Sequence, residues 1–148
     1  MNPTRVILLS SALIAGLLLL TGCAAKPLYP VEGVVQFDDG TPATSLAGGR
    51  VSLESVADRS NASGEIRKDG TFRIQDPLGR DGAPAGEYRV LVLPPEGADR
   101  RNPPLDQVFS RYETSKLVVT VKEQPNRDVT ISVRRPVGAK KGEPAVPR

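Results

Sequence analysis

The chain has 148 residues, of which 20 are lysine or arginine and 17 are aspartate or glutamate, and it contains one cysteine and no histidine. The lack of histidine excludes Ser-His catalytic triads and His-ligated zinc or iron sites. A single cysteine allows no disulfide within the chain, so the core must be held together by apolar packing.

Residues 1–22 have the layout of a secretory signal peptide. Arg5 precedes an apolar stretch, residues 6–20, that contains nothing more polar than two serines. A helix over this stretch would rise roughly 22 Å, less than the ~30 Å hydrocarbon core, so a transmembrane span is the weaker interpretation. A basic start, an apolar stretch and small residues before a cleavage site instead predict a signal peptide.

The cysteine directly follows this stretch, in the sequence Leu20-Thr21-Gly22-Cys23. The motif resembles the lipobox of bacterial lipoproteins, in which an aliphatic residue and two small residues precede the cysteine. The resemblance implies cleavage between Gly22 and Cys23 and attachment of a diacylglycerol to the Cys23 thiol. Cys23 would then hold the protein on a membrane of the cell envelope, facing the periplasm or the exterior, and Ala24 after it favours the outer membrane. The alternative is a plain signal peptide or an uncleaved anchor that happens to carry a cysteine.

Residues 23–30 are predicted to form the lipidated N terminus and a short spacer, and residues 31–133 a single domain. Within this domain apolar residues alternate with period two, which is typical of half-buried β-strands. No amphipathic helical pattern follows the signal peptide. The alternation is found at Val31, Val35 and Phe37, at Val51 and Leu53, at Tyr88, Val90 and Val92, at Leu117, Val119 and Val121, and at Val129, Ile131 and Val133.

The parity of apolar residues predicts the register of a first hairpin around Asp69-Gly70. A two-residue turn would place Ile66 opposite a charged residue. A three-residue loop over residues 68–70, with Gly70 in the left-handed conformation, instead pairs Ile66 with Phe72. We therefore predict the three-residue loop.

A second hairpin is predicted over residues 117–133. A loop over residues 123–127 pairs Val121 with Val129 and keeps one face aliphatic. The other face then carries threonine and charge, as an antiparallel sheet with one wet side requires.

About seven strands with no helix between them predict an all-β fold, a single antiparallel Greek-key β-sandwich of transthyretin-like or immunoglobulin-like type. The 14 glycines and 14 prolines suit the many turns of such a fold. Asp-Gly pairs at residues 39–40, 69–70 and 81–82 carry oxygens that suit calcium, but none has the EF-hand spacing. We interpret them as tight turns.

Residues 81–90, DGAPAGEYRV, resemble the start of a strand in carboxypeptidase regulatory-like domains. Those domains have a transthyretin-like, or prealbumin-like, sandwich. The opening strands from residue 31 and the hairpin SGEIRKDGTFRI are similar to the same family, and the whole of residues 31–133 is similar to a group of small bacterial lipoproteins built on this domain. The resemblance implies a sandwich without catalytic residues.

Residues 134–148 form a basic tail with five basic residues and one acidic residue, a net charge of +4. The rest of the mature chain carries a net charge of −2, so the basic character belongs to the tail and no nucleic-acid partner is indicated. The tail has little to bury and is predicted to be disordered. An inert end and attraction to anionic envelope polymers or lipid head groups are both open.

Residues 94–114 are long for a structureless connection, which makes them the predicted place for a partner-binding surface. Arg100 and Arg101 are candidates for contacting anionic groups. Phe109 and Tyr112 are candidates for apolar anchors of the kind that dominate interfaces. The alternative is that these two rings fold back and cover the open end of the sandwich.

The sequence favours a non-catalytic module that acts in interaction or structure, with no cofactor and no metal, on an unknown envelope protein or polymer. A ligand-binding or glycan-binding receptor is the second hypothesis, which requires a pocket lined by exposed aromatic rings. A hydrolytic enzyme is the least favoured. Its Ser-Lys pair, Ser115 and Lys116, consists of neighbours that would point to opposite faces of a strand.

Overall fold

The computed structural model describes residues 25–137, which form two β-sheets packed face to face around one core. This confirms the predicted all-β sandwich of about seven strands. The strands are β1 (Val31–Phe37), β2 (Arg50–Ser55), β3 (Asn61–Glu65), β4 (Thr71–Arg73), β5 (Gly86–Leu93), β6 (Leu117–Val121) and β7 (Asn126–Val133).

The three-stranded sheet has the order β4-β1-β7, and the four-stranded sheet has the order β3-β2-β5-β6. Paired strands within residues 25–137 run antiparallel, as predicted, except β1 and β7. These two run parallel, with Val31 opposite Asn126 and Phe37 opposite Val133. The difference arises because the chain crosses between the sheets after β6, and β7 then starts at the same end of the sandwich as β1.

The core lies between the sheets and consists of the strand residues that face inward. Phe37, Phe72 and Tyr88 were predicted to belong to it and are 1%, 1% and 2% exposed. The Tyr88 hydroxyl donates a hydrogen bond of 2.8 Å to the Pro84 carbonyl, so the polar tip of this buried ring is satisfied. The period-two pattern therefore predicted the buried face correctly at Phe37 and Tyr88, and the parity of the first hairpin predicted it at Phe72.

The first predicted hairpin is confirmed. Ile66 and Phe72 form an antiparallel bridge. The Arg67 amide donates a 2.8 Å hydrogen bond to the Thr71 carbonyl and closes a three-residue loop. Gly70 has a φ of +83°, the left-handed conformation that this loop requires.

The second predicted hairpin is wrong, because β6 and β7 belong to different sheets. Val121 and Val129, which were predicted to pair, lie opposite Gly86 of β5 and Gly33 of β1. Alternation decides which side chains face the core, and it is equally satisfied when two strands lie in facing sheets. It does not decide which neighbouring edge receives the hydrogen bonds.

The sandwich has two ends, formed by different segments. The N-terminal end contains Tyr29, the turn 56–60 and the turn 76–80. Tyr29 and Ala83 exchange two backbone hydrogen bonds of 2.9 and 3.1 Å, which fasten the spacer just before β5. The loop end contains the last residues of β1 and β7 and the segment 94–115. A 3.1 Å hydrogen bond from the Asp106 amide to the carbonyl of Arg134, the residue after β7, joins this segment to the end of the strand.

Candidate functional site

The first half of the predicted binding segment, residues 94–104, lies on the surface of the loop end. Arg100 and Arg101 are both exposed. The Arg101 amide donates a 2.8 Å hydrogen bond to the Asp99 carboxylate, which shapes the turn that carries the two arginines. Neither guanidinium takes part in an ion pair within residues 25–137. Both side chains are therefore available to an anionic partner.

The second half of the segment packs onto the sandwich. A 3-10 helix, Gln107–Ser110, begins after Asp106, whose carboxylate accepts a 3.1 Å hydrogen bond from the Val108 amide. This N-cap interaction orients the short helix so that Phe109 points into the core. Leu105 and Phe109 are 2% and 9% exposed and belong to the core cluster.

Arg134, the first residue after β7, holds this packed half in place. Its Nε atom lies 2.9 Å from the Asp106 carboxylate, and its guanidinium carbon lies 5.9 Å from the centre of the Phe109 ring. The Arg134 guanidinium lowers the pKa of Asp106 below its usual range. Because the pKa of the folded state is the lower one, this pair stabilises the fold at neutral pH, and its contribution is lost as the pH falls through that value.

Tyr112 lies in a short helix, α1 (Tyr112–Ser115), over the outer face of the four-stranded sheet. Its hydroxyl is 2.8 Å from the Ser52 hydroxyl, and the Arg89 guanidinium lies 5.8 Å from the centre of its ring. Arg89 is paired in turn with Glu54. Tyr112 is half-buried, so one face of its ring packs on the sheet while part of the side chain stays in contact with solvent.

The structure therefore divides the four predicted binding residues. Arg100 and Arg101 are exposed on the outer half of the segment, and Tyr112 is half-buried on the sheet. Phe109 is part of the core and cannot serve as an exposed anchor. The position of Phe109 agrees with the alternative interpretation, in which the ring folds back and covers the end of the sandwich.

Asp106 and Arg134 organise the segment, although neither was among the predicted site residues. An aspartate before the apolar group Val108-Phe109 is a helix N-cap signal that the sequence does contain. Arg134 was assigned to the basic tail, and only the fold brings it to Asp106. Arg135 is similarly fastened, with its guanidinium 3.0 Å from the Asp39 carboxylate and 3.6 Å from the centre of the Phe37 ring.

Ser115 and Lys116 do not form a catalytic pair. The sequence pattern predicted that both residues lie in a strand, but Ser115 is the last residue of α1 and Lys116 is its C-cap. The Ser115 hydroxyl is buried and donates a 2.5 Å hydrogen bond to the Val90 carbonyl. Lys116 has a φ of 57° and ends the helix in the left-handed conformation, with its side chain exposed.

Two of the Asp-Gly pairs, at residues 39–40 and 69–70, form the tight turns that their sequences predict. The third pair does not, because Asp81 forms an antiparallel bridge with Gln75 and the Gly82 amide donates a 2.8 Å hydrogen bond to the Ile74 carbonyl. The Asp39 carboxylate accepts a 3.0 Å hydrogen bond from the Thr41 amide, and the Asp69 carboxylate accepts one of 2.9 Å from the Thr71 amide. Asp81 contacts Arg73 at 3.3 Å. Within residues 25–137, no group of three or more histidine, cysteine or acidic side chains is placed to hold a metal ion.

Two shallow grooves lie on the part of the chain that the structure describes. The larger, about 530 Å³, lies on the outer face of the three-stranded sheet and is lined mainly by polar residues such as Glu32, Arg67 and Asp128. The smaller, about 320 Å³, lies at the N-terminal end. Phe72 and Tyr88 border these grooves but are 1% and 2% exposed, so neither offers a ring on which a sugar could stack.

Comparison with known proteins does not assign this site. No family model, curated protein or solved structure matches the chain at a significant level. The predicted lipidation and cleavage residues, Cys23 and Gly22, lie outside the described residues 25–137. Within those residues, no helix has both the length and the apolar character needed to span a bilayer.

Proposed function

We propose that this chain is a bacterial envelope lipoprotein, anchored to a membrane through lipid on Cys23, whose β-sandwich acts as a non-catalytic interaction or structural module. The observation that carries the proposal is the sequence Leu20-Thr21-Gly22-Cys23 directly after the apolar stretch. A protein that bears two or more acyl chains stays on a bilayer, because each buried methylene contributes about 0.8 kcal/mol. Such an anchor supplies retention without a membrane-spanning segment.

The proposal of a non-catalytic module is supported by the side chains that the sequence supplies. The chain contains no histidine, the most common general base. The Ser115 hydroxyl already donates a hydrogen bond to the Val90 carbonyl. A sandwich of the carboxypeptidase regulatory-like type, which the motif at residues 81–90 resembles, agrees with this role.

The proposed contact surface is the exposed half of the segment, residues 94–104. It projects from a rigid base, because the following residues are fixed by the Asp106–Arg134 ion pair and by the burial of Phe109. A rigid sandwich that presents a variable exposed loop is a common arrangement for recognition. Arg100 and Arg101 give this loop a preference for an anionic partner in the envelope.

Lipidation is tested by the variant Cys23→Ala. In cells supplied with labelled palmitate, the wild-type protein should take up label and fractionate with membranes. Cys23→Ala should remain an unlipidated precursor, because the thiol that receives the diacylglycerol is missing. The measurement is label incorporation together with the mass of the N-terminal peptide.

Ser45→Ala is a suitable control, because it also replaces a small polar residue but lies far from the cleavage site in sequence. It should be labelled and processed like the wild type. Unlabelled wild-type protein, or a mature N terminus other than Cys23, would contradict the proposed anchor.

The contact surface is tested by photo-crosslinking in intact cells. A photoreactive residue at Asn102, which is exposed between the loop arginines and the packed half, should capture envelope material. The double variant Arg100→Ala and Arg101→Ala should lose most of these crosslinks, because it removes both cations of the exposed loop. The matched control is Arg127→Ala, an exposed arginine on β7. Equal crosslinking by the double variant and the control would rule out the arginines as the contact.

A further inference from the structure

Two large aliphatic side chains project from the N-terminal end of the sandwich. Leu78 is 79% exposed and Val56 is 51% exposed. Both lie in turns, Leu78 in the turn 76–80 and Val56 in the turn 56–60. Neither side chain contributes to the core, and both are exposed at the same end of the sandwich.

The turn that carries Leu78 is held in a defined shape. The Asp76 carboxylate accepts hydrogen bonds of 3.0 Å from the Leu78 amide and 2.8 Å from the Arg80 amide, and it also forms an ion pair of 2.6 Å with the Arg80 guanidinium. Leu78 is therefore presented to solvent by an ordered turn.

The two turns border the same groove, together with the start of the described chain. The groove of about 320 Å³ is lined by residues of both turns and by Ala25, Lys26 and Leu28. The exposed aliphatic residues therefore lie at the end of the molecule where the chain arrives from Cys23.

The spacer gives the domain little freedom to move away from the anchor. Lys26 forms an ion pair of 2.6 Å with Asp58, and Tyr29 is fastened to Ala83 by two backbone hydrogen bonds. An extended chain spans at most about 3.6 Å per residue, so Lys26 lies within ~11 Å of Cys23 and Tyr29 within ~22 Å. Attachment at Cys23 therefore keeps the N-terminal end close to the lipid.

Resting on the proposed lipidation of Cys23, we infer that the N-terminal end of the sandwich is a second membrane contact, which lies on the bilayer with Leu78 and Val56 in the boundary between head groups and acyl chains. Apolar side chains that insert into this boundary strengthen membrane binding in proportion to the apolar area that they bury. The loop end then points away from the membrane, and β5, with eight residues, sets it about 25 Å from the bilayer surface.

The charges of this end make the contact independent of anionic lipid. Three basic residues here are each paired with an acid, Lys26 with Asp58, Arg59 with Glu54 and Arg80 with Asp76. The connection between β6 and β7 lies at the same end and adds one exposed base and one exposed acid, Lys122 and Glu123. The Lys26 ammonium lowers the pKa of Asp58 well below its usual value, so this pair stays charged at neutral pH. The surface is close to neutral overall, and the aliphatic residues supply the attraction to the membrane.

The test uses the full, lipidated protein with single introduced cysteines, reconstituted in vesicles of phosphatidylethanolamine with either 10% or 40% phosphatidylglycerol. Cys23 is blocked by lipid, so a nitroxide attaches only to the introduced thiol. Leu78→Cys and Val56→Cys report on the proposed contact. Val118→Cys is the matched control, because Val118 is 56% exposed but lies on β6, and Arg100→Cys reports on the loop end.

We expect the labels at Leu78 and Val56 to lose most of their accessibility to an aqueous nickel complex and to gain accessibility to oxygen, equally at both lipid compositions. The labels at Val118 and Arg100 should remain accessible to nickel. The lipid anchor is checked separately by flotation of each protein with the vesicles.

Nickel accessibility at Leu78 equal to that at Val118, in protein that floats with the vesicles, would overturn the contact and leave the lipid anchor intact. Dipolar coupling between Leu78 labels on different copies, without a gain in oxygen accessibility, would overturn it in favour of a second copy of the chain. Protein that fails to float would overturn the anchor, and with it the contact.

Discussion

Phe109→Ala should lower the free energy of unfolding by about 3–5 kcal/mol, the usual effect of removing a buried aromatic side chain. The ring is 9% exposed and fills the loop end beneath Arg134. Its loss leaves a cavity and removes the surface on which the Arg134 guanidinium stacks. The change is measured by thermal and urea unfolding of the chain without its first 22 residues, followed by circular dichroism.

Phe109→Leu and Tyr112→Phe are the matched controls. Phe109→Leu retains most of the apolar volume and should cost less than half as much as Phe109→Ala. Tyr112→Phe removes only the hydroxyl that contacts Ser52, and should cost about 0.5–1.5 kcal/mol, the net value of one hydrogen bond. A Phe109→Ala protein as stable as Tyr112→Phe would show that Phe109 does not belong to the core in solution.

Gly33→Ala should remove most of the stability of the domain, of the order of the 5–15 kcal/mol that typical domains possess. Gly33 is in the central strand β1, opposite Phe72 on one side and Val129 on the other. A Cβ atom at this position would lie 1.9 Å from the Val129 carbonyl oxygen and 2.7 Å from the Val129 carbonyl carbon. These are backbone atoms, so no side-chain rotation relieves the collision, and β1 and β7 must separate.

Gly97→Ala is the control for the general cost of replacing a glycine. Gly97 has a φ of +80° on the exposed half of the loop, and a Cβ atom there would meet no atom within 4 Å. Gly97→Ala should lower the free energy of unfolding by only about 1–2 kcal/mol, which is the cost of placing a residue other than glycine in the left-handed conformation. If Gly33→Ala and Gly97→Ala unfold at similar temperatures, the close approach of β1 and β7 does not exist in solution.

Gly33 also shows how much of the fold could be predicted from the sequence. The alternation of apolar residues identified five of the strands, β1, β2, β5, β6 and β7, because side chains of a strand point alternately to the two sides. It placed Gly33 in β1 between Val31 and Val35. It could not show that the backbone of β7 lies so close to Gly33, because β1 and β7 are distant in the sequence.

Strand pairing was predictable only where it was local. The hairpin around Gly70 has its turn and both strands within a few residues, so the parity of Ile66 and Phe72 was enough to determine the register. Val121 and Val129 show the same parity, yet their strands pair with β5 and β1. Connections that cross between sheets keep the same apolar alternation as hairpins, and alternation therefore cannot distinguish the two.

The length and composition of residues 94–114 were enough to locate the candidate site. They were not enough to predict the role of each residue in it. Arg100 and Arg101 are exposed, as a binding role requires. Phe109 is buried because Asp106 and Arg134 direct it inward, and Arg134 comes from the far end of the domain sequence. The exposed Leu78 was not singled out either, since a leucine in a turn rich in proline and glycine is distinguished only by its size.

The parallel pair of β1 and β7 imposes an order on folding. β1 is the first strand to be synthesised, and until β7 is made its only neighbour in the sheet is the three-residue strand β4. Joining segments so far apart costs closure entropy and slows folding. The three-stranded sheet therefore cannot be completed before β7 has left the ribosome. A chain that ends before β7 would leave one edge of β1 without its hydrogen-bonding partner.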